Sequence, residues 1–289
     1  MSADNQPRLR RPVLLDNPNA DRIRKVSALA GRSARRRSGE VLVEGPQAVR
    51  EAVRFCGRDL VDVYISEDAA ARHPDLVKQA KKATHWVHPM TDEVARAISP
   101  DCQGVAAVVK DFRTDGLPKV DWDFVVIMTQ TQDPGNAGNI IRAADAAGAD
   151  AVIACSGTVD VSSPKVVRAS AGSVFHLPSI TNVGFEEVAE WAKARGMTLV
   201  AADGGGSVDL FDAEDGMESL DLAAPIAWAF GNEAHGFDQI DTSGFDHSVS
   251  IPLAGHAESL NVSAAAAVCL FATARSRRRM GAWDKAKTD

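Results

Sequence analysis

Three stretches of this 289-residue chain combine small residues that expose backbone with isolated polar groups. The first, TQDPGNAGNIIR, carries Asn136 and Gly138 and ends at Arg142. Pro134 and Gly135 make a turn, and Gly138 permits close backbone approach. An arginine one helical turn further on can grip a phosphate through two parallel hydrogen bonds. The same residues also describe an ordinary turn followed by a helix start. The second stretch, GNEAHGF (231–237), sets Glu233 between Gly231 and Gly236, directly after an apolar run. A carboxylate there can receive an amine, order the loop, or simply face solvent. The third, IPLAGHAESLNVS (251–263), brings Ser259, Asn261 and Ser263 to a helix start. Serine and asparagine commonly cap free backbone N–H groups at that position, but three in a row exceed what one cap needs.

Other chemistries lack their residues. No GxGxxG follows a strand-like run, no P-loop is present, and no GxSxG elbow occurs. His73, His85 and His88 have no acidic or cysteine partner at metal-ligand spacing, so no metal site is expected. The four cysteines, Cys56, Cys102, Cys155 and Cys269, form no CxxC. That argues against a zinc knuckle or a disulfide framework and fits a reducing cytoplasm. The run Gly204-Gly205-Gly206 reads as a flexible loop.

Alternating apolar runs must position these loops. Candidate strands are FVVIMT (124–129), AVIAC (151–155), SVFHLP (173–178), TLVAAD (198–203), IAWAFG (226–231) and HSVSIP (247–252). Candidate helices cover 137–147, 163–171, 185–195 and about 259–279. Apolar strands joined by helices predict a parallel sheet covered on both faces, with ligands beyond the carboxyl ends of its strands. The three polar stretches each follow such a strand. The first third also alternates. A basic helix, IRKVSALAGRSARRR, precedes the strand VLVEG, the helix PQAVREAVRF and the strand LVDVYIS. DLVKQAKKAT reads as a helix, HWVHP as a strand, TDEVARAIS as a helix capped by Thr91, and GVAAVVKDF as a closing strand.

The predicted organisation is a mobile arm over 1–22, an α/β domain over 23–112, a linker over 113–122 and a second α/β domain over 123–289. The linker RTDGLPKVDW combines Gly116, Pro118 and mixed charge. No run approaches the roughly 18 apolar residues of a membrane span, and the N-terminal residues carry no secretory signal. Net charge is −7, but it is unevenly placed: residues 1–112 hold 19 Lys+Arg against 15 Asp+Glu, and residues 113–289 hold 13 against 24. Within the first 58 residues the balance is 13 to 6. A basic front is either a solvated arm or the footprint of a nucleic-acid partner.

In order and together, the three polar stretches resemble the signature motifs of the SpoU (TrmH-like) branch of the SPOUT RNA methyltransferases. The first motif matches Asn136, Gly138 and Arg142; the second matches Gly231, Glu233 and Gly236. The third matches Ile251, Pro252, Leu253, Ser259, Leu260, Asn261, Val262, Ser263 and Ala265. KVVRASAGSVFHLP (165–178) is similar to the family's stretch between the first two motifs. VLVEGPQAVREAV and QGVAAVV more loosely resemble a ribosomal-protein-like RNA-binding domain that often precedes this catalytic domain.

The resemblance implies a parallel sheet whose C-terminal part is tied in a deep trefoil knot, a rare exception to the rule against knotted chains. It implies an S-adenosylmethionine site formed largely by backbone, with Gly231, Gly236, Ile251, Leu253 and Leu260 at the matching positions. It also implies a homodimer with active sites near the interface, and methyl transfer to a ribose 2'-hydroxyl, in ribosomal RNA rather than transfer RNA. Arg142 matches the residue that activates the hydroxyl. Asn136, Ser259 and Asn261 match groups that position the ribose, and Glu233 matches the acid that shapes the cofactor site. The competing expectations are a non-catalytic RNA-binding or ribosome-assembly protein on the same fold, and base methylation.

Overall fold

The computed structural model describes residues 13–232, 236–238 and 240–281. The chain divides into two compact units, Met1–Lys110 and Asp111–Asp289.

The first unit is a four-stranded sheet between helices. Its strands are β1 (Glu40–Glu44), β2 (Leu60–Ser66), β3 (Val87–Met90) and β4 (Val105–Lys110), in the order β1-β4-β2-β3. β4 runs antiparallel to β1 and β2, and β3 runs parallel to β2. Its helices are α1 (Asp21–Ala28), α2 (Arg32–Ser38), α3 (Pro46–Phe55), α4 (Glu67–Arg72), α5 (Pro74–Ala83) and α6 (Asp92–Ile98). Period-two alternation sorts the strand side chains. Leu42, Tyr64, Ala106 and Val108 join Ile23, Val26 and Val94 from α1 and α6 in one cluster. The basic helix foreseen as one piece is two helices, because the chain turns at Gly31. Arg35 is buried and donates to the Leu29 and Ala30 carbonyls, which fixes α2 against the end of α1.

Of the arm expected over 1–22, residues 1–12 lie outside the described part. Leu15 is tied down: its N–H donates to the Pro89 carbonyl, and its carbonyl accepts from the Thr91 N–H. The helix α1 already begins at Asp21.

The second unit contains β5 (Arg113–Asp115), β6 (Phe124–Met128), β7 (Ala151–Cys155), β8 (Ser179–Val183), β9 (Thr198–Ala202), β10 (Val208–Asp209), β11 (Ile226–Phe230) and β12 (His247–Ser250). Every pairing is parallel, in the order β10-β12-β9-β11-β6-β7-β8-β5. The helices are α7 (Pro134–Ala147), α8 (Pro164–Ala169), α9 (Phe185–Lys193), α10 (Leu210–Glu214) and α11 (Val262–Arg279). On one face Val125, Ile127, Ile153, Leu199 and Ala227 pack with Val188 and Trp191 of α9. Trp228 of β11 is fully buried and donates its indole N–H to the Thr273 hydroxyl of α11 at 2.9 Å. That bond satisfies two polar groups that burial would otherwise penalise.

Two expectations differ here. The segment foreseen as a linker begins with β5, which pairs with β8. The expected strand 173–178 is instead a short 3-10 turn at Ser173–Phe175, and the strand is Ser179–Val183. Gly172 enters that turn at φ +96°, and Pro178 offers no N–H to a ladder.

Candidate active site

The loops after β6, β9, β11 and β12 leave the sheet at one edge, because their strands are parallel and adjacent. At this edge lies a cavity of about 570 Å³, within the range typical of small-molecule sites. Gly231, Gly236, Ile251, Leu253 and Leu260, the five positions assigned to the cofactor, all line it, as does Ser259. Glu233 lies outside the described residues.

The wall around Gly231 is built by close backbone approach. The Asn232 N–H donates to the Gly236 carbonyl at 2.8 Å, and the Gly236 N–H returns to the Asn232 carbonyl at 2.9 Å. A β-carbon on Gly231 would sit 2.5 Å from the Gly236 oxygen, and Gly236 itself holds φ +53°. The Asn232 side chain donates to the Gln130 carbonyl at 3.1 Å, joining this loop to the one after β6. Gly206 belongs to the same construction. A β-carbon there would meet the Ser248 and Val249 backbone at 2.6–2.7 Å, so the glycine run is partly a packing contact against β12 rather than merely a flexible loop.

Asp133 caps α7 by accepting from the Asn136 N–H at 2.8 Å, and Pro134 occupies the first turn. Proline there costs no hydrogen bond, because its N–H would be unpaired anyway. The helix therefore begins at 134 rather than the expected 137. Arg142 lies a little over two turns in, not one. Asn261 caps α11, its Oδ1 accepting from the Ser263 N–H at 2.9 Å and the Ser263 hydroxyl at 2.7 Å. Its Nδ2 donates to Asn136 Oδ1 at 3.0 Å. One asparagine thus caps a helix and joins two motifs 125 positions apart. Gly138 serves packing: a β-carbon would collide with Ala169 and stand 2.8 Å from the Ser170 nitrogen of the α8 turn.

Arg142 is exposed and makes no hydrogen bond or ion pair among the described residues. Neither it, Asn136 nor Asn261 belongs to the cavity wall. Beside them α11 exposes an apolar stripe, with Val268 36% and Phe271 49% accessible.

Asp203, Glu258 and Phe230 also line the cavity, and the sequence reading did not single them out. The signal was available for Asp203, which ends the apolar run TLVAAD at a strand's carboxyl end. These residues suit a sulfonium cofactor. The glycine-built wall leaves room that a β-carbon would fill, Ile251, Leu253, Leu260 and Phe230 offer apolar surface for an adenine, and two carboxylates complement cationic groups. Burial pushes the Cys155 and Cys269 thiols up to about 12, and neither lines the cavity. His88 is engaged with Asp62 at 2.8 Å in the first unit.

A fully parallel sheet with a backbone-walled cavity at its carboxyl edge defines an α/β protein with a nucleotide-sized site formed by loops. Residues 123–271 match the SpoU rRNA Methylase family. A 23S rRNA (uridine(2479)-2'-O)-methyltransferase of Streptomyces viridochromogenes is 33% identical over 268 residues, covering 86% of this chain and 87% of that protein. The 23S rRNA (guanosine-2'-O-)-methyltransferase RlmB of Bordetella pertussis is 29% identical, covering 82% and 98%. Among solved structures, the SpoU methyltransferase AviRb of Streptomyces viridochromogenes in complex with AdoMet superposes with a TM-score of 0.75 at 31% identity, covering 90% of this chain and all of that one. This chain belongs to the SpoU rRNA methylase family.

Proposed function

We propose that the protein is an S-adenosylmethionine-dependent RNA methyltransferase acting on a ribose 2'-hydroxyl of 23S ribosomal RNA. The observation that carries this is the gathering of the motif positions. Five cofactor positions and Ser259, from the second and third motifs, share one cavity, and the Asn136–Asn261 hydrogen bond joins the first motif to the third. Family membership and the names of the relatives support the same reading.

Bound in this cavity, S-adenosylmethionine supplies an activated methyl group on a sulfonium and needs no metal. The chain's residues then have to hold the ribose and favour loss of its proton. Asn136, Asn261 and Ser259 offer amide and hydroxyl groups that orient the sugar. Arg142 acts electrostatically: its guanidinium stabilises the developing alkoxide and holds the adjacent phosphate, while the hydroxyl proton passes to solvent water. Glu233 shapes the cofactor loop.

The active form is a homodimer. Val268 and Phe271 form an apolar stripe on α11 suited to burial against a second copy, and the loop positions Leu253 and Leu260 are 39% exposed. A second chain closes the rim that one chain leaves open. A trefoil knot is supported by the strand order: after β11 the chain passes β9 and lays β12 between β9 and β10. The first unit binds the RNA substrate, as its basic excess suggests. The protein works in the cytoplasm, the compartment of its proposed ribosomal substrate. Among the described residues no helix is long and apolar enough to cross a membrane.

The test is transfer of labelled methyl groups from S-adenosylmethionine to ribosomal RNA, followed by alkaline hydrolysis. A 2'-O-methyl group blocks cleavage at its nucleotide. Label in an alkali-sensitive product shows base methylation, label only in transfer RNA shows another substrate, and no label on any RNA points to the non-catalytic alternative.

A further inference from the structure

The first unit holds a second cavity, about 480 Å³, between α1, α2 and the sheet. Three cations line it: Arg22, Lys25 and Arg37. Lys25 and Arg37 are exposed and make no hydrogen bond or ion pair among the described residues. Arg22 is held in place. Its Nε donates to the Tyr64 hydroxyl at 3.1 Å and its Nη2 to Asp62 Oδ1 at 2.7 Å, which leaves Nη1 without a partner among the described residues. Burial pushes the Tyr64 hydroxyl up to about 12, so it stays protonated and donates to Asp62 Oδ2. Asp62 is thus occupied by Arg22, Tyr64 and His88, and the one other carboxylate in the wall, Glu40, leaves the three cations in excess.

An aromatic surface adjoins this cluster. Parallel pairing sets Tyr64 opposite His88 in β2 and β3, and period-two alternation puts Trp86 on the face of His88. Trp86 stacks with His88 at 6.4 Å and 23° between planes, yet remains 62% exposed. A large indole left in water beside fixed and free cations matches what unpaired nucleic acid requires: a flat platform for a base and positive groups for its phosphates. Duplex RNA offers no free base face to such a platform.

We propose that this edge of the first unit binds an unpaired RNA segment, one base stacking on Trp86 while neighbouring phosphates are held by Arg22, Lys25 and Arg37. The assignment rests on the RNA-modifying role proposed above and specifies which form of RNA the first unit takes. Arg35 has no part in it, being buried and donating to the Leu29 and Ala30 carbonyls just after α1.

Fluorescence anisotropy on the full-length protein tests this with a labelled ten-nucleotide single-stranded oligoribonucleotide and a hairpin duplex of equal length. Trp86→Ala should weaken single-strand binding about tenfold, the scale of losing one stacked base, and Trp86→Phe should restore most of it. The pair Lys25→Ala and Arg37→Ala should lower the salt slope by roughly 0.7 per lost phosphate contact. Arg36→Ala, an exposed cation outside the cavity, is the control. Melting curves and S-adenosylmethionine calorimetry on each variant show that the fold is kept. Single-strand affinity and salt slope unchanged in both the Trp86 and the double variant overturn the proposal, as does an equal loss for duplex. Methylation by the wild-type chain is measured separately. If it persists while the Trp86 variants bind normally, this site fails and the enzymatic reading stands; if no RNA is methylated, the enzymatic reading fails.

Discussion

Gly231→Ala isolates the backbone construction of the wall proposed to hold the cofactor. The new β-carbon would lie 2.5 Å from the Gly236 carbonyl oxygen and 2.7 Å from its carbon. Both are backbone atoms and cannot rotate aside. The Asn232–Gly236 bridge must therefore open, losing two hydrogen bonds of 2.8 and 2.9 Å. At about 0.5–1.5 kcal/mol each, the loss is roughly 1–3 kcal/mol. A cofactor that needs the closed wall loses at least that much, which is roughly a 5- to 150-fold weaker Kd at 1.4 kcal/mol per decade. Gly236→Ala meets no atom within 4 Å but keeps φ +53°, so only the left-handed penalty of about 1–2 kcal/mol applies. Gly255→Ala, in open space on the loop after β12, should bind like the wild type. Titration calorimetry with S-adenosylmethionine, beside a melting curve, measures the series. A Gly231→Ala protein that binds within twofold of wild type, or a Gly255→Ala protein equally impaired, would refute the reasoning.

Other perturbations separate the remaining roles. Arg142→Ala should lower methyl transfer roughly 10²–10⁴-fold in single-turnover assays while leaving Tm and cofactor affinity unchanged, because the exposed side chain has no partner to lose among the described residues; Arg142→Lys should not restore full rate, since an ammonium lacks the planar fork. Asn261→Ala removes the α11 cap and the bond to Asn136 and should cost about 0.5–2 kcal/mol by denaturant unfolding in addition to its effect on rate. Phe271→Glu puts a charge on the apolar stripe of α11 and should convert the proposed dimer to monomer in light scattering; a dimer that survives it places the interface elsewhere. Burial opposes ionisation of Asp62, but the His88 hydrogen bond and the Arg22 charge outweigh it and hold the carboxyl below its usual range. Its stabilisation is therefore present above the unfolded pKa of about 3.9 and lost as pH falls through the lower folded value. Asp62→Asn should lower Tm clearly at pH 7 and progressively less below pH 4.

The loops of the candidate site were legible as special because several of their residues are set by backbone needs that sequence records. Gly231 and Gly236 are glycines because one would clash and the other turns left-handed, and Asn261 is a cap as well as a link. The central strands were legible as apolar runs buried on both faces, such as FVVIM and IAWAF. The edge strand β5 and its neighbour β8 were not. β8 reads SITNV, and Asp115 of β5 accepts from Thr181 and Asn182 side chains, so polar pairing across an edge replaces the apolar signal. Arg142 was displaced by a turn because the Asp133 cap and Pro134 start α7 earlier than apolar periodicity shows. Strand order escaped the sequence altogether, since insertion of β12 between β9 and β10 is a long-range choice with no local pattern.

That insertion bears on how the molecule comes into being. β10 has only β12 as a neighbour, and β9 needs β12 to cover one edge. During synthesis both stand incomplete until residues 247–250 leave the ribosome, and the loop after β12 that lines the cavity follows later still. A nascent chain ending before this point has an open parallel edge and no cofactor site. Non-local parallel pairing is intrinsically slow, and unpaired edges invite association with other chains. Arrested synthesis products of this protein should therefore be chaperone clients that no amount of S-adenosylmethionine can rescue, whereas the finished chain gains from the cofactor the stabilisation that any ligand of the native state supplies.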